Sequence, residues 1–277
     1  MRKLLAANCL RIVRNKLFWL SVIVMAVFGI ALPVSHYLNM QAYQFPMYID
    51  MGFFGSGVYL LIVMAVLGCL FLGTEYSDGT IRNKLIVGHK RPIIYLSNLI
   101  TLFIAGTFLN AVWVITYLCA GLPLLGGFQS EVKTILLFSV CIEMLIVVFA
   151  SIFTLITMIN QKKATAAVIC LLCAFAMMFA SFFVSSSLSE PEIIDGYSYI
   201  DDSGEVITRE ARPNSRYLTG IKRDVFEFLN DALPSSQALN ISNLNVDNPY
   251  ILMLYSGMMI LVTTCSGLVI FRRKDLK

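Results

Sequence analysis

The chain has 277 residues, of which 58% are hydrophobic and 14% charged, with a formal net charge of +4. A soluble domain usually carries about 25% charged and roughly 45–50% apolar residues, so this chain has too little polar surface to cover an aqueous globule. These proportions exclude a disordered chain and a small disulfide-stapled secreted domain, and they predict a membrane protein.

Residues 2–16 predict a short basic amphipathic helix. Leu5, Cys9, Ile12 and Val13 recur on one face, and Lys3, Arg11 and Arg14 share the other. A helix of this kind lies in the headgroup plane of a bilayer. A bilayer core takes about 20 mostly apolar residues per helix. Six stretches qualify: 17–38, 53–73, 95–120, 134–159, 164–188 and 250–271. The first follows Lys16 and contains Pro33 near its far end, where a kink costs little. Its length and the lack of a small-residue cleavage site predict a retained span rather than a signal peptide. Gly52, Gly55 and Gly57 open the second span and permit close helix contact, within the chain or at a dimer seam. Trp19, Tyr48, Trp113, Tyr117 and Tyr250 fall at or near span ends and read as interfacial anchors.

Between the second and third spans lies the loop 74–94. It contains Glu75-Tyr76-Ser77-Asp78-Gly79-Thr80-Ile81-Arg82-Asn83-Lys84-Leu85. Ile81 and Leu85 are one turn apart, so a short helix along the membrane face would turn its polar groups towards a soluble partner. A plain solvated loop fits the composition equally well. In the fourth span Glu143 sits at a depth where a charged carboxylate is costly. It should face the bundle interior, carry a proton, or find a partner in Thr107, Asn110 or Thr116 of the third span. Two readings stand: a polar contact on a substrate route, and an interhelical hydrogen bond that holds the bundle. Cys170 and Cys173 of the fifth span have CxxC spacing and read as packing residues.

Residues 189–249 are too many for a simple turn. Tyr197–Ile200 and Glu205–Thr208 flank Asp201-Asp202-Ser203-Gly204 and predict a hairpin. Thr219 can cap a helix over 220–233 that Pro234 stops. Its apolar stripe of Ile221, Val225, Phe228, Leu229 and Ala232 must bury against the hairpin, the outer membrane surface or the mouth of the bundle. No cysteine falls in this segment, so no disulfide is expected there.

An even number of spans puts both termini on one side. That side collects 15 of the 21 basic residues, which predicts cytoplasmic termini and an extracytoplasmic 189–249 segment. The expected fold class is therefore an all-α polytopic membrane protein with six transmembrane helices. A small α+β extracytoplasmic insertion separates helices five and six. The sequence contains no GxxxxGK[ST] loop, no HExxH and no GxSxG. His36 and His89 fall at opposite membrane faces and cannot share a metal. No catalytic constellation, metal site or nucleic-acid partner is expected.

Glu75-x-x-x-Gly79-Thr80 is followed by Arg82, then Leu85, then Arg91-Pro92 before the third span. This order resembles the permease subunits of ABC-2 type transporters. The tail Phe271-Arg272-Arg273-Lys274-Asp275-Leu276-Lys277 resembles theirs, as do Tyr217–Arg223, Phe226–Leu229 and Leu233-Pro234. Asn98 is a departure, standing where many relatives would have Lys. The resemblance implies a subunit without a nucleotide site of its own, with ATP and Mg on a separate ABC ATPase. It implies that Glu75, Tyr76, Asp78, Gly79, Thr80, Arg82 and Lys84 form a coupling helix docking on that ATPase, supported from the side by residues 2–16. It further implies a second permease subunit, identical or related, the plasma membrane of a bacterium, and export of an amphipathic peptide antibiotic, bacteriocin, drug or lipid. Two other readings stay open: a sensing or immunity component that binds an antimicrobial without moving it, and an ion-driven secondary transporter.

Overall fold

The structure, a computed structural model, describes residues 1–200 and 206–274. The described residues form a helical bundle with one small β excursion. Helix α1 (Arg2–Val13) is followed by α2 (Lys16–Tyr43). Asn15 separates them because its side chain caps α2, accepting from the Leu17 amide at 2.8 Å. The second span enters through a broken turn, α3 (Asp50–Phe53), and continues as α4 (Ser56–Ser77). A short helix α5 (Thr80–Ile86) leads to α6 (Arg91–Leu125), α7 (Val132–Ile159) and α8 (Lys163–Leu188). After strands β1 (Ile193–Ile194) to β4 (Arg212–Pro213) come α9 (Ile221–Ala232), α10 (Pro234–Ser242) and α11 (Pro249–Arg273). Six of these stretches are long and apolar enough to cross a membrane: α2, α3 with α4, α6, α7, α8 and α11. They coincide with the six expected spans.

Both termini lie at one end of the bundle, the terminal face. Arg11 of α1 reaches Glu75 at the end of α4, and Arg91 at the start of α6 reaches the carbonyls of Phe271 and Arg272 in α11. Helix α4 is central and packs against α2, α6, α7, α8 and α10. Small residues make that possible. A Cβ on Gly57 would meet Ile142 and Ala238 at 3.0 and 3.2 Å, so the glycines opening this span serve packing within the chain. On α6, a Cβ at Gly106 would fall 2.5 Å from Ile146 and 2.9 Å from Met64. Gly106→Ala is therefore expected to cost about 1–3 kcal/mol by overpacking. Gly127, with nothing within 4 Å of its Cβ position, should tolerate alanine. Thermal unfolding of both variants in detergent checks the contrast.

One expectation is corrected here. Trp113 and Tyr117 are wholly buried rather than interfacial. Trp113 Nε1 donates to the Phe53 carbonyl at 3.0 Å and Tyr117 Oη to that of Met51 at 2.7 Å, so both pin the broken turn that begins the second span. Trp19 and Tyr250 are exposed, as anchors require. Of the α9 stripe, Ile221, Val225 and Phe228 are exposed and Leu229 and Ala232 half-buried, which leaves the outer membrane surface and the mouth of the bundle as the expected cover. The helix lies across the ends of α8 and α11, touching them through Phe183–Phe226 and Phe228–Tyr255 ring contacts. Pro234 follows the end of α9, as expected, and it also opens a further helix. It is the first residue of α10, where its missing amide costs nothing.

Helix α10 folds back among the spans, burying Ser235, Ser236, Gln237 and Asn240. Polar backbone and side chains at that depth need partners inside the protein. Ser235 Oγ donates to the Met177 carbonyl at 2.8 Å, Gln237 Nε2 to that of Asp231 at 2.7 Å, and Ser256 Oγ to Gln237 Oε1 at 2.7 Å. The expected hairpin is present in register, with Tyr197 opposite Arg209 and Ile200 opposite Val206. Its turn, 201–204, and Glu205 lie outside the described residues, as do Asp275, Leu276 and Lys277.

Candidate functional site

The most developed polar cluster lies at the terminal face, where α1, α4, α5 and α6 meet. Its centre is Glu75, which is 0% exposed. A buried carboxylate is tolerable only with charge-assisted partners, and Glu75 has three. Arg11 Nη1 and Lys84 Nζ both reach Oε1 at 2.5 Å. Asn98 Nδ2 donates to Oε2 at 2.8 Å. The partners are tied to one another: Asn8 Nδ2 donates to Asn98 Oδ1 at 2.8 Å, and Lys84 Nζ to Asn8 Oδ1 at 3.1 Å. Arg11 also donates to Thr74 Oγ1 at 3.3 Å and lies 4.9 Å from the Phe71 ring centre. Burial pushes the Lys84 pKa below the ordinary lysine value; the Glu75 carboxylate opposes this, and Arg11 adds to it.

The local sequence explains how α5 is held. Gly79 adopts a left-handed φ of +66°, which lets the chain leave α4 and start a new helix after only two residues. Ile81 and Lys84, three residues apart on α5, then face inwards. Ile81 packs in an apolar cluster with Leu4, Ile94, Tyr95 and Met158. The opposite side of α5 and its end stay open: Arg82, Asn83, Ile86 and Val87 are exposed, the last two at 76%.

A second set of contacts ties the helix ends beside this cluster. Tyr76 Oη donates to the Met158 carbonyl at 2.6 Å. Lys274 Nζ donates to the Met158 and Ile159 carbonyls at the end of α7. Arg91 donates to the Arg272 carbonyl at 3.0 Å at the end of α11. Cations on carbonyl ends complement the partial negative charge there.

The residues singled out in the sequence are thus divided. Glu75 and Lys84 come together but face inwards, so the expectation that they meet a soluble partner is corrected. Tyr76 is engaged with Met158. Asp78 is exposed and accepts from Ser77 Oγ at 3.0 Å. Gly79 and Thr80 form the start of α5, and Arg82 points outwards. On α1 the buried residues are Leu4, Asn8 and Ile12 rather than the Leu5, Cys9, Ile12, Val13 stripe, and Val13 is exposed. Lys3 and Arg14 are exposed as expected, whereas Arg11 turns in to Glu75. The pair Asn8 and Asn98 was missed as a bridge. Its signal is the i, i+4, i+8 spacing of Leu4, Asn8 and Ile12, which puts an amide in the middle of a packing stripe.

In mid-bundle, Glu143 has two of its three expected partners. Thr107 Oγ1 donates to Oε2 at 2.8 Å and Asn110 Nδ2 to Oε1 at 3.1 Å. Thr116 instead bonds to the Val112 carbonyl of its own helix. His36 and His89 stay apart, and no group of three metal-ligating side chains forms among the described residues.

The chain matches the family described as ABC-2 family transporter protein over residues 4–183, well over half its length. No curated protein matches it. The matched stretch runs from α1 to α8 and holds every residue of the Glu75 cluster.

Proposed function

Because the chain belongs to the ABC-2 family of transporter proteins, we propose that it is the membrane-spanning permease subunit of an ATP-driven exporter. The ATP, with its Mg, sits on a separate ABC ATPase subunit. The terminal face is cytoplasmic, in keeping with the basic residues gathered there, and the 189–249 segment belongs to the extracytoplasmic end, with α10 dipping back among the spans. The assembly contains two permease subunits in a bacterial plasma membrane, and its cargo is amphipathic.

The observation that carries this reading is the α5 corner. Arg82, Ile86 and Val87 project from a helix whose other side is fixed, through Lys84 and Ile81, to the ends of three further helices. A partner gripping the exposed side would move α1, α4 and α6 as one body, because Glu75 joins them. Rigid-body displacement is the means by which a soluble motor can rearrange packed spans. Nucleotide states drive transport when they favour different arrangements of those spans.

The test is co-expression with a P-loop ATPase from a neighbouring reading frame, purification of the complex, and reconstitution in liposomes. Stable co-purification with ATP-dependent movement of an amphipathic substrate is expected. Hydrolysis stimulated by a ligand that never crosses the bilayer would instead indicate a sensor. Transport without the ATPase would indicate an ion-driven carrier.

A further inference from the structure

Glu143 stands near the middle of α7, roughly 16 Å from one end and roughly 24 Å from the other at the usual helical rise. It is only partly buried and belongs to the lining of a 380 Å³ groove. The remaining lining is chiefly apolar: Phe103 of α6, with Leu136, Val140, Met144 and Val147 of α7. Leu136 and Val140 are exposed, so the groove opens on the outside of the bundle.

The Glu143 carboxyl group receives hydrogen bonds from two neutral donors, Thr107 and Asn110. Among the described residues it has no ion-pair partner. The same Asn110 amide leaves its Oδ1 buried and without a hydrogen-bond partner. Of these groups only the Glu143 carboxyl group lines the groove, and among the described residues no cation faces it there. A buried acceptor left unsatisfied and an acid at mid-membrane depth are both costly.

We propose that this groove binds a single-chain cationic amphiphile, its ammonium group on Glu143 and its alkyl chain along the α6–α7 groove. One ammonium supplies three donors and a positive charge together. The amphiphile's chain matches the apolar walls. As exported cargo this ligand rests on the permease reading above; as a bound ligand it does not.

The test uses the full chain alone in phosphatidylcholine nanodiscs, with dodecylamine as probe and dodecanol as its uncharged match. Dodecylamine should raise the thermal midpoint of the wild type in a saturable way, and dodecanol should not. Glu143→Gln should weaken apparent binding about tenfold or more through loss of the charge-assisted contact. Val140→Trp, which fills an exposed part of the groove and leaves Glu143 in place, should weaken it similarly and keeps the test open if Glu143→Gln does not fold. Equal midpoint shifts with dodecanol, or unchanged binding in a folded Glu143→Gln or Val140→Trp, would overturn the proposal. So would conversion of a dimer to a monomer by Val140→Trp, since the groove would then be a seam between copies. No ATPase enters the assay, so failure here and failure to recruit an ATPase are separate results.

Discussion

Glu75→Ala is expected to destabilise the chain by about 3–5 kcal/mol, the usual cost of removing one side of a buried ion pair. Arg11, Lys84 and Asn98 would all lose their acceptor at once, and Lys84 is too buried to find water instead. The opposite substitution should behave differently. In Lys84→Met the carboxylate keeps Arg11 and Asn98, and the chain no longer buries an ammonium. Its stability should stay within about 1 kcal/mol of the wild type, the net worth of an ordinary hydrogen bond. The pH dependence has a definite sign. The folded pKa of Lys84 lies below its ordinary 10.5. Between the two values the unfolded chain holds more protons, so the stability of the wild type relative to Lys84→Met should rise with pH across that window. Below it, the buried charge is a constant cost. Reversible unfolding in micelles, followed for both variants from neutral to alkaline pH, measures all of this. Equal losses in the two variants, or a relative stability that falls as pH rises, would sink the asymmetry.

The spans were legible because crossing a bilayer demands a long apolar run, and that demand leaves few alternatives in the sequence. The contact of Glu143 with Thr107 and Asn110 was legible for a related reason. A polar group at that depth needs partners, and residues three apart on α6 share a face. What failed was the assumption that polar residues near the membrane surface point outwards. Arg11, Asn8, Glu75, Lys84 and Asn98 compensate one another, and mutual compensation is invisible in a hydrophobic pattern read one helix at a time. Helix α10 escaped for the same cause. Ser235 and Gln237 look like loop residues until Met177, Asp231 and Ser256 are seen to satisfy them. Trp113 and Tyr117 show the converse: their amphipathic rings suited an interface, but their polar tips were needed by the carbonyls of Phe53 and Met51.

The second large effect concerns the exposed end of α5. Replacing Ile86 and Val87 together by aspartate should abolish co-purification of the ATPase, a loss of about 100-fold or more in affinity, while the permease itself folds normally. Both side chains are 76% exposed, so the substitution opens no cavity in the bundle. Surface changes of this kind usually stay within about 0.5 kcal/mol of the starting stability. At an interface the same two positions become apolar anchors, and a few such anchors supply most of the binding energy. Aspartate there would also have to be desolvated against the partner without a matched cation. Arg82→Glu should act more mildly, by about tenfold, and chiefly on the association rate, because a rim charge steers encounter more than it holds a complex. Its effect should shrink as salt is raised. The measurement is pull-down of the ATPase by each variant in parallel with its thermal midpoint. Full retention of the ATPase by the Ile86→Asp/Val87→Asp chain would move the docking surface off α5. A parallel fall in midpoint would mean that these side chains support the bundle rather than a partner. Undisturbed folding with a lost partner is the outcome that separates the outer side of α5 from the Glu75 cluster beneath it.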